Sequence, residues 1–309
     1  MEENSLSKNK FGFRRIRPED KLVFDTFYEH KTIQNCETAF ANLCGWGFLL
    51  GGEYAIINGA LVTRVHQVAN KEICYHCPIG DVDKVELIRL IIEDSIENNY
   101  TMRIILDCKE VIQVHYKDAF DIEDKREYYD YVYLRESLAT LRGKKLQSKR
   151  NHCNKFTKSY NYIYRELNSK SVKECVEFSK AWLDNKLAEE PDGDLEGYVN
   201  ELRVIEYFAE NFDALGMIGG AIYVNRELVA FTMGSKVNND TFCTHIEKAN
   251  TDYDGAYAMI NREFAKHLPE EYVYINREED LGIEGLRRAK LSYQPIKLIE
   301  KEMATYIRD

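Results

Sequence analysis

The chain predicts an α/β (α+β) fold built as two similar units in tandem, each a mixed sheet flanked by helices. Three observations carry this expectation. The order hairpin, strand, loop, helix, strand, short helix, strand describes residues 54–134 and recurs over 219–301. A repeated order of elements points to duplication. The strand–helix–strand connections imply parallel pairing, with any ligand at the strand C-termini. The 21 tyrosines and 14 phenylalanines suit sheets and aromatic-lined clefts. The boundary is placed so that residues 1–135 form the first unit and 136–309 the second.

At 309 residues and 44% hydrophobic content, the chain can bury a sizeable core. It contains no run of about 18 apolar residues, so no span is expected. The polar start MEENSLSKNK does not read as a secretory signal, and a cytosolic location is expected. The eight scattered cysteines read as small core residues. Cys74-Tyr75-His76-Cys77 has CxxC spacing, but no second ligand pair follows, so no metal is expected. A net charge of −10 argues against a general nucleic-acid binder. The segment 142–158 departs from that average, with seven Lys or Arg, His152 and no acid.

Taken in order, residues 1–10 read as a frayed terminus, Phe11–Ile16 as a short strand, and Pro18 as the opening of a helix to Tyr28. Glu37–Leu50 places Phe40, Leu43, Trp46 or Gly47, and Leu50 at helical spacing. Trp46 suits the core or a pocket wall. Asn58-Gly59 joins Tyr54–Ile57 to Leu61–His66 as a hairpin, and Ile73–Cys77 is a third strand. Asp81 or Asp83 caps a helix over Lys84–Glu97 with a stripe of Val85, Ile88, Ile91, Ile92 and Ile96. Met102–Leu106 is a strand, Lys109–Tyr116 a short helix, and Tyr128–Leu134 a strand.

The second half opens with one helix over Ser137–Lys158, packed through Leu138, Leu141, Leu146, Cys153 and Phe156. A strand (Tyr160–Leu167), a helix (Val172–Leu187), an acidic loop (189–197) and a helix (Tyr198–Asn211) follow. Gly219–Val224 and Leu228–Gly234 form a hairpin across Asn225-Arg226. Thr241–Ala249 is a strand and Ala256–Lys266 a helix. The strand Tyr272–Ile275, a helix-compatible Ile283–Lys290 and a strand over Ile296–Glu300 complete the chain.

The polar cluster Asn276, Arg277, Glu278, Glu279 and Asp280 follows the Tyr272 strand and precedes Gly282. A strand end so loaded, beside a glycine, reads as one wall of a site. The plainer reading makes Asp280 a helix N-cap. Alternation in Thr241–Ala249 puts His245 and Glu247 on one face, about 7 Å apart, where they would flank a substrate. The plainer reading pairs Glu247 with Lys248 or Arg277 on a solvated edge. The helix start after Gly255 offers free N–H groups to a phosphate, although Asp252 and Asp254 oppose an anion. Tyr293 is a candidate general acid, or simply a buried hydroxyl.

Three motifs, LATLRGKKLQSKRNHCNKF (138–156), HIEKANTDYDGAYAMINREF (245–264) and YINREEDLGIEGLRRAKLSYQP (274–295), resemble a bacterial family of unknown function. That family is related to the C-terminal catalytic domain of phosphatidylglycerol lysyltransferases. The resemblance covers essentially the whole chain and implies two tandem acyl-CoA N-acyltransferase (GNAT-like) units. It also implies transfer of an acyl group from an activated donor, aminoacyl-tRNA or acyl-CoA, to an amine or hydroxyl acceptor, a lipid headgroup among them.

The expected site lies between the halves. Glu247, His245, Glu278 and Tyr293 are its catalytic candidates, with Glu247 or Glu278 as base. Asn276, Arg277, Asp280, Lys248 and Gly255 are the substrate-binding candidates, Arg277 for a carboxylate or phosphate. Arg142, Lys144, Lys145, Lys149, Arg150 and His152 would receive the polyanionic part of the donor, a tRNA stem among the possibilities. The rival readings are a ligand- or RNA-binding module without turnover, and an acetyl-CoA-dependent N-acetyltransferase.

Overall fold

The structure is a computed structural model and describes residues 10–28, 32–67, 71–105, 109–189 and 195–307. Residues 1–9, Leu106, Cys108 and most of the expected acidic loop lie outside those ranges.

The first half runs β1 (Arg14–Arg15), α1 (Lys21–Tyr28), α2 (Phe40–Leu50), β2 (Glu53–Ile57), β3 (Ala60–Gln67) and β4 (Glu72–His76). It continues with α3 (Lys84–Glu97), β5 (Thr101–Ile105), α4 (Lys109–His115), β6 (Phe120–Asp124) and β7 (Asp130–Leu134). The second half runs α5 (Arg135–Thr140), α6 (Gln147–Ser159), β8 (Tyr162–Glu166), α7 (Val172–Glu189), α8 (Leu195–Glu210), β9 (Ile218–Val224) and β10 (Glu227–Lys236). Then come β11 (Thr241–Ala249), α9 (Ala256–His267), β12 (Tyr274–Asn276), α10 (Glu284–Leu291), β13 (Lys297–Ile299) and β14 (Glu302–Tyr306).

Local chemistry explains most of these limits. Asp83 caps α3 by accepting from the backbone N–H of Val85 and Glu86. The stripe of α3 includes Leu87, Ile88, Ile91 and Ile92, whereas Ile96 is exposed. The expected helix 137–158 is two helices, because Leu141 (φ 50°) and Gly143 (φ 91°) take left-handed backbone between them. Its five packing positions are all buried nonetheless. Strand Phe11–Ile16 shrinks to two residues.

Two seven-stranded sheets form, ordered β1-β2-β3-β4-β5-β14-β6 and β8-β9-β10-β11-β12-β7-β13. Neighbouring strands are antiparallel throughout except β4/β5 and β11/β12, which are parallel. The sheets therefore share one plan, and their sixth strands are exchanged: β7 of the first half completes the second sheet, and β14 of the second half completes the first. Strand 130–134, placed before the boundary at 135 on sequence, thus lies in the second sheet. The strands β6 and β14 escape the sequence pattern. FDIED is mostly charged and EMATY is short, so neither shows a clean apolar alternation.

Helix α2 is apolar on nearly every side and packs between the halves, touching β3, β10 and α8. It joins a core shared by Ile16, Tyr54 and Leu61 of the first half and Phe208, Phe231 and Ile246 of the second. The opposite face of the second sheet packs on α5, α6 and α9.

Candidate active site between the two units

A cavity of about 420 Å³ opens where the first sheet, α2 and the loop after β12 meet. Its walls include Leu43, Trp46 and Leu50 of α2, Val65, Cys74, His76 and Arg103 of the first sheet, and Glu278, Glu279 and Leu281 of the loop. Trp46, read from sequence as core or pocket wall, is a wall residue.

Four ionisable groups converge at its base. Lys301, the residue before β14, is buried and donates from Nζ to Asp130 (2.6 Å) and Glu37 (2.6 Å), with Cys36 Sγ at 3.4 Å. Asp130, fully buried on β7, also accepts from Cys36 N (2.8 Å) and Asn276 Nδ2 (2.7 Å). This cluster sits where the exchanged strands enter each other's sheets. Burial pushes the Glu37 carboxyl up to about 8, against the pull of Lys301. Burial alone would lower Lys301, but Asp130, Cys36 and Glu37 hold it well above its usual value. Burial, helped by Lys301, brings His76 down to about 4, so its ring is neutral near pH 7. Arg103 donates from Nη1 to Glu72, while its buried Nε has no hydrogen-bond partner among the described residues.

The other side of the site comes from a bulge in β11. The register with β10 runs Met233↔Ile246 and then Gly234↔Thr244, which leaves His245 without an opposite residue. Gly234 is required there, since a Cβ would sit 1.9 Å from the Cys243 carbonyl oxygen. The bulge overturns the expected alternation. His245 packs beside Phe208 of α8, and its Nδ1 meets Glu278 Oε1 at 2.8 Å and its Nε2 meets Ser235 Oγ at 2.8 Å. Glu247 points instead to the α9 side, where it accepts from Asn261 and Arg277. The two do not flank one substrate.

Parallel pairing of β11 with β12 ends at Cys243↔Asn276, while β11 continues against β10 to Ala249. The strands part there, and successive residues beyond β12 serve different faces. Glu278 takes a left-handed backbone (φ 57°), steadied by its N–H donating to Asn276 Oδ1 (2.7 Å). Its Oε1 accepts from Asn42 Nδ2 (2.7 Å) as well as His245. Of the catalytic and binding candidates, Glu278 alone lines the cavity, beside Glu279 of the same polar cluster and with His245 and Asn276 directly behind it.

The remaining candidates are placed elsewhere. Arg277 pairs with Glu247 (2.7 Å), and its guanidinium lies over the Tyr293 ring at 4.8 Å. Lys149 of α6 stacks on the same ring at 4.3 Å. Tyr293 is buried, and burial raises its hydroxyl far above the usual range, which favours the plainer reading of that residue. Asp280 is fully buried and accepts from Arg126, Tyr131 and Arg287, so it anchors the loop and does not face the cavity. Lys248 is buried under Trp182 and bonded to Glu201 (2.7 Å). Gly255 lies beneath α6, where a Cβ would come within 2.5 Å of the His152 carbonyl oxygen. Asp254 there pairs with Lys155 and His152. Arg150 donates to the Leu141 and Gly143 carbonyls and so shapes the turn before α6. Arg142, Lys144, Lys145 and His152 are exposed.

Cys36, Glu37, Asn42, Arg103 and Lys301 line the cavity and Asp130 lies buried behind Lys301, and the sequence reading selects none of them. They sit one or two at a time on five separate segments. Glu37 reads as a helix start and Lys301 as the end of a strand, so no local spacing marks them.

A family model described as phosphatidylglycerol lysyltransferase, C-terminal, matches residues 29–305. The chain belongs to that family. The crystal structure of a conserved protein of unknown function from Bacteroides thetaiotaomicron VPI-5482 matches at 40% identity with TM-score 0.90, covering 96% of this chain and 100% of that one. L-PGS from Bacillus licheniformis matches at 14% identity and TM-score 0.65 over 96% of this chain and 94% of that one. A tandem GNAT protein from the clavulanic acid biosynthesis pathway matches at 8% identity and TM-score 0.53, over 96% and 99%. The last two share the fold, which is that of tandem GNAT-like units. An uncharacterized protein of Mycoplasmoides gallisepticum is 25% identical over 199 residues, or 62% of this chain and 61% of that protein. Among the described residues no helix of this family member is long and apolar enough to cross a membrane.

Proposed function

We propose that the chain transfers an acyl group, an aminoacyl group in the first place, from an activated donor to an amine or hydroxyl held in the cavity between the units. The observation that carries this reading is the Glu37–Lys301 pair at the base of a cavity of about 420 Å³. With its carboxyl brought up to about 8, Glu37 is mostly protonated near neutral pH and acts as base through its ionised fraction, which grows as pH rises toward 8. Glu37 therefore replaces Glu247 as the base, since Glu247 is bound to Arg277 on another face. The acceptor's nitrogen or oxygen attacks the donor carbonyl, its proton passes to ionised Glu37, and as the ester or thioester bond breaks Glu37 returns that proton to the departing oxygen or sulfur. Arg103 Nε supplies a donor for the carbonyl oxygen as it gains charge. Glu278, oriented by His245 and Asn42, holds the acceptor from the opposite wall.

An aminoacyl donor is favoured over acyl-CoA by the two helix starts that could cradle a pyrophosphate. Asp83 occupies the first, and α6 with Asp254 covers the second. The exposed cations Arg142, Lys144 and Lys145 before α6 suit the phosphates of a tRNA stem. Arg277 keeps a buried Nη1 without a partner among the described residues, on the same side as Lys149.

The test is transfer from labelled aminoacyl-tRNA and from acyl-CoA to a panel of amines and hydroxyls, with wild type and Glu37→Gln. Turnover that falls by about 100-fold in the variant while donor binding persists supports the reading. Wild-type turnover in Glu37→Gln removes Glu37 from the chemistry. Donor binding without turnover on any acceptor makes the protein a binding module.

A further inference from the structure

We propose that Cys243, His245 and Glu278 form a binding site for a transition-metal dication of the zinc class, with its fourth position open to the cavity. The Cys243 thiol, one ring nitrogen of His245 and a carboxylate oxygen of Glu278 all lie within 4.8 Å of one another. Glu278 Oε1 is 2.8 Å from His245 Nδ1 and 3.5 Å from Cys243 Sγ. Zinc bonds of roughly 2.0–2.3 Å in a tetrahedral set place ligand atoms roughly 3–4 Å apart, so small side-chain rotations complete the geometry. A sulfur, nitrogen and oxygen set selects zinc, cobalt or iron over calcium or magnesium.

The site is built by the fold. Cys243 and His245, two residues apart on β11, face the same side and meet the same carboxylate, and the bulge at His245 turns Glu247 away from them. The left-handed backbone of Glu278, held by Asn276, fixes the third ligand. An outer layer is in place as well: Ser235 Oγ holds the other nitrogen of the His245 ring, and Asn42 Nδ2 holds Glu278. The Oδ1 of Asn42 is buried with no hydrogen-bond partner among the described residues, and Asn42 and Glu278 both line the cavity. An acceptor left in that position suits a water bound to the metal. Three protein ligands with an opening to a cavity is the arrangement of a reactive metal site, as opposed to a closed structural one.

The inference stands apart from the acyl-transfer reading, because its test measures binding. Chelator-treated protein is titrated with Co²⁺ and followed by absorbance. One equivalent with visible d–d bands and a near-ultraviolet thiolate-to-cobalt band is expected, displaced by Zn²⁺. In Cys243→Ala the thiolate band should vanish and affinity fall at least ~10-fold, with His245→Gln as a second variant that keeps the thiol. Cys36→Ala should bind as wild type does. Circular dichroism of each variant separates loss of ligand from loss of fold. No stoichiometric binding to folded wild type overturns the proposal, as does a thiolate band that survives Cys243→Ala or is lost in Cys36→Ala.

Discussion

Two clusters of thiol and carboxylate flank the same cavity and solve one problem differently. Cys36, Asp130 and Glu279 gather around Lys301, whose ammonium is 2.6 Å from Asp130. Cys243 and Glu278 gather around His245. A buried carboxylate needs a compensating partner, and in the first cluster the chain supplies its own cation at the crossing of the exchanged strands. That cluster holds the halves together. In the second, the proposed metal ion would take the place that Lys301 holds in the first. The difference separates a cluster neutralised from within the chain from the proposed metal site, although the residue types are nearly the same.

The largest effect should come from removing the internal cation. Lys301→Ala leaves Asp130 buried without its charge partner and should cost about 3–5 kcal/mol, read by urea denaturation. Lys301→Met combined with Asp130→Asn should recover much of that loss. An unchanged midpoint in the single variant would mean that the cluster does not pin the strands. Next is Gly234→Ala, which forces a Cβ against the Cys243 carbonyl and should cost roughly 1–3 kcal/mol. It should also disturb the His245 ring resonances by NMR while leaving the Lys301 cluster intact.

A third comparison uses pH. The native carboxyl of Glu37 is held up at about 8, above its ordinary value of 4.5, so the folded state keeps a proton that the unfolded chain has lost between those values. Stability from this group is therefore present below about 4.5 and is lost as pH rises through about 8, with a slope of at most about 1.4 kcal/mol per pH unit. Denaturation midpoints from pH 5 to 9 should fall less steeply in Glu37→Gln than in wild type. Equal slopes would assign the proton elsewhere. The smallest effect on stability, within about 0.5 kcal/mol, is expected for reversing Arg142, Lys144 and Lys145 to Glu, because all three are exposed. The same variant should lower the salt dependence of tRNA binding, by about 0.7–0.9 in the logarithmic slope for each phosphate that is no longer neutralised.

Much of the frame is legible in the residues. Asn58-Gly59 and Asn225-Arg226 mark hairpins that the structure contains, and Asp83 marks the start of α3. These features join near neighbours and are set by backbone preference and hydrogen bonds of short range. The dense motif 276–280 is also a genuine focus, but its residues divide. Glu278 faces the cavity, Asp280 is consumed by Arg126 and Arg287, and Arg277 turns to Tyr293. The division follows from the parting of β11 and β12, which no single stretch reveals.

On its own, the sequence determined most of the element order, with β6, β14 and the break between α5 and α6 missed, together with the repeated plan and the resemblance to a transferase-like family, because periodicity, turn chemistry and long motifs are written locally. Only the tertiary structure decided that β7 and β14 change places, that one bulged residue separates His245 from Glu247, and that Glu37, Asp130 and Lys301 meet. Those outcomes depend on pairings between residues as many as 265 positions apart, as between Cys36 and Lys301, and the burial that shifts their protons exists only once both sheets have closed.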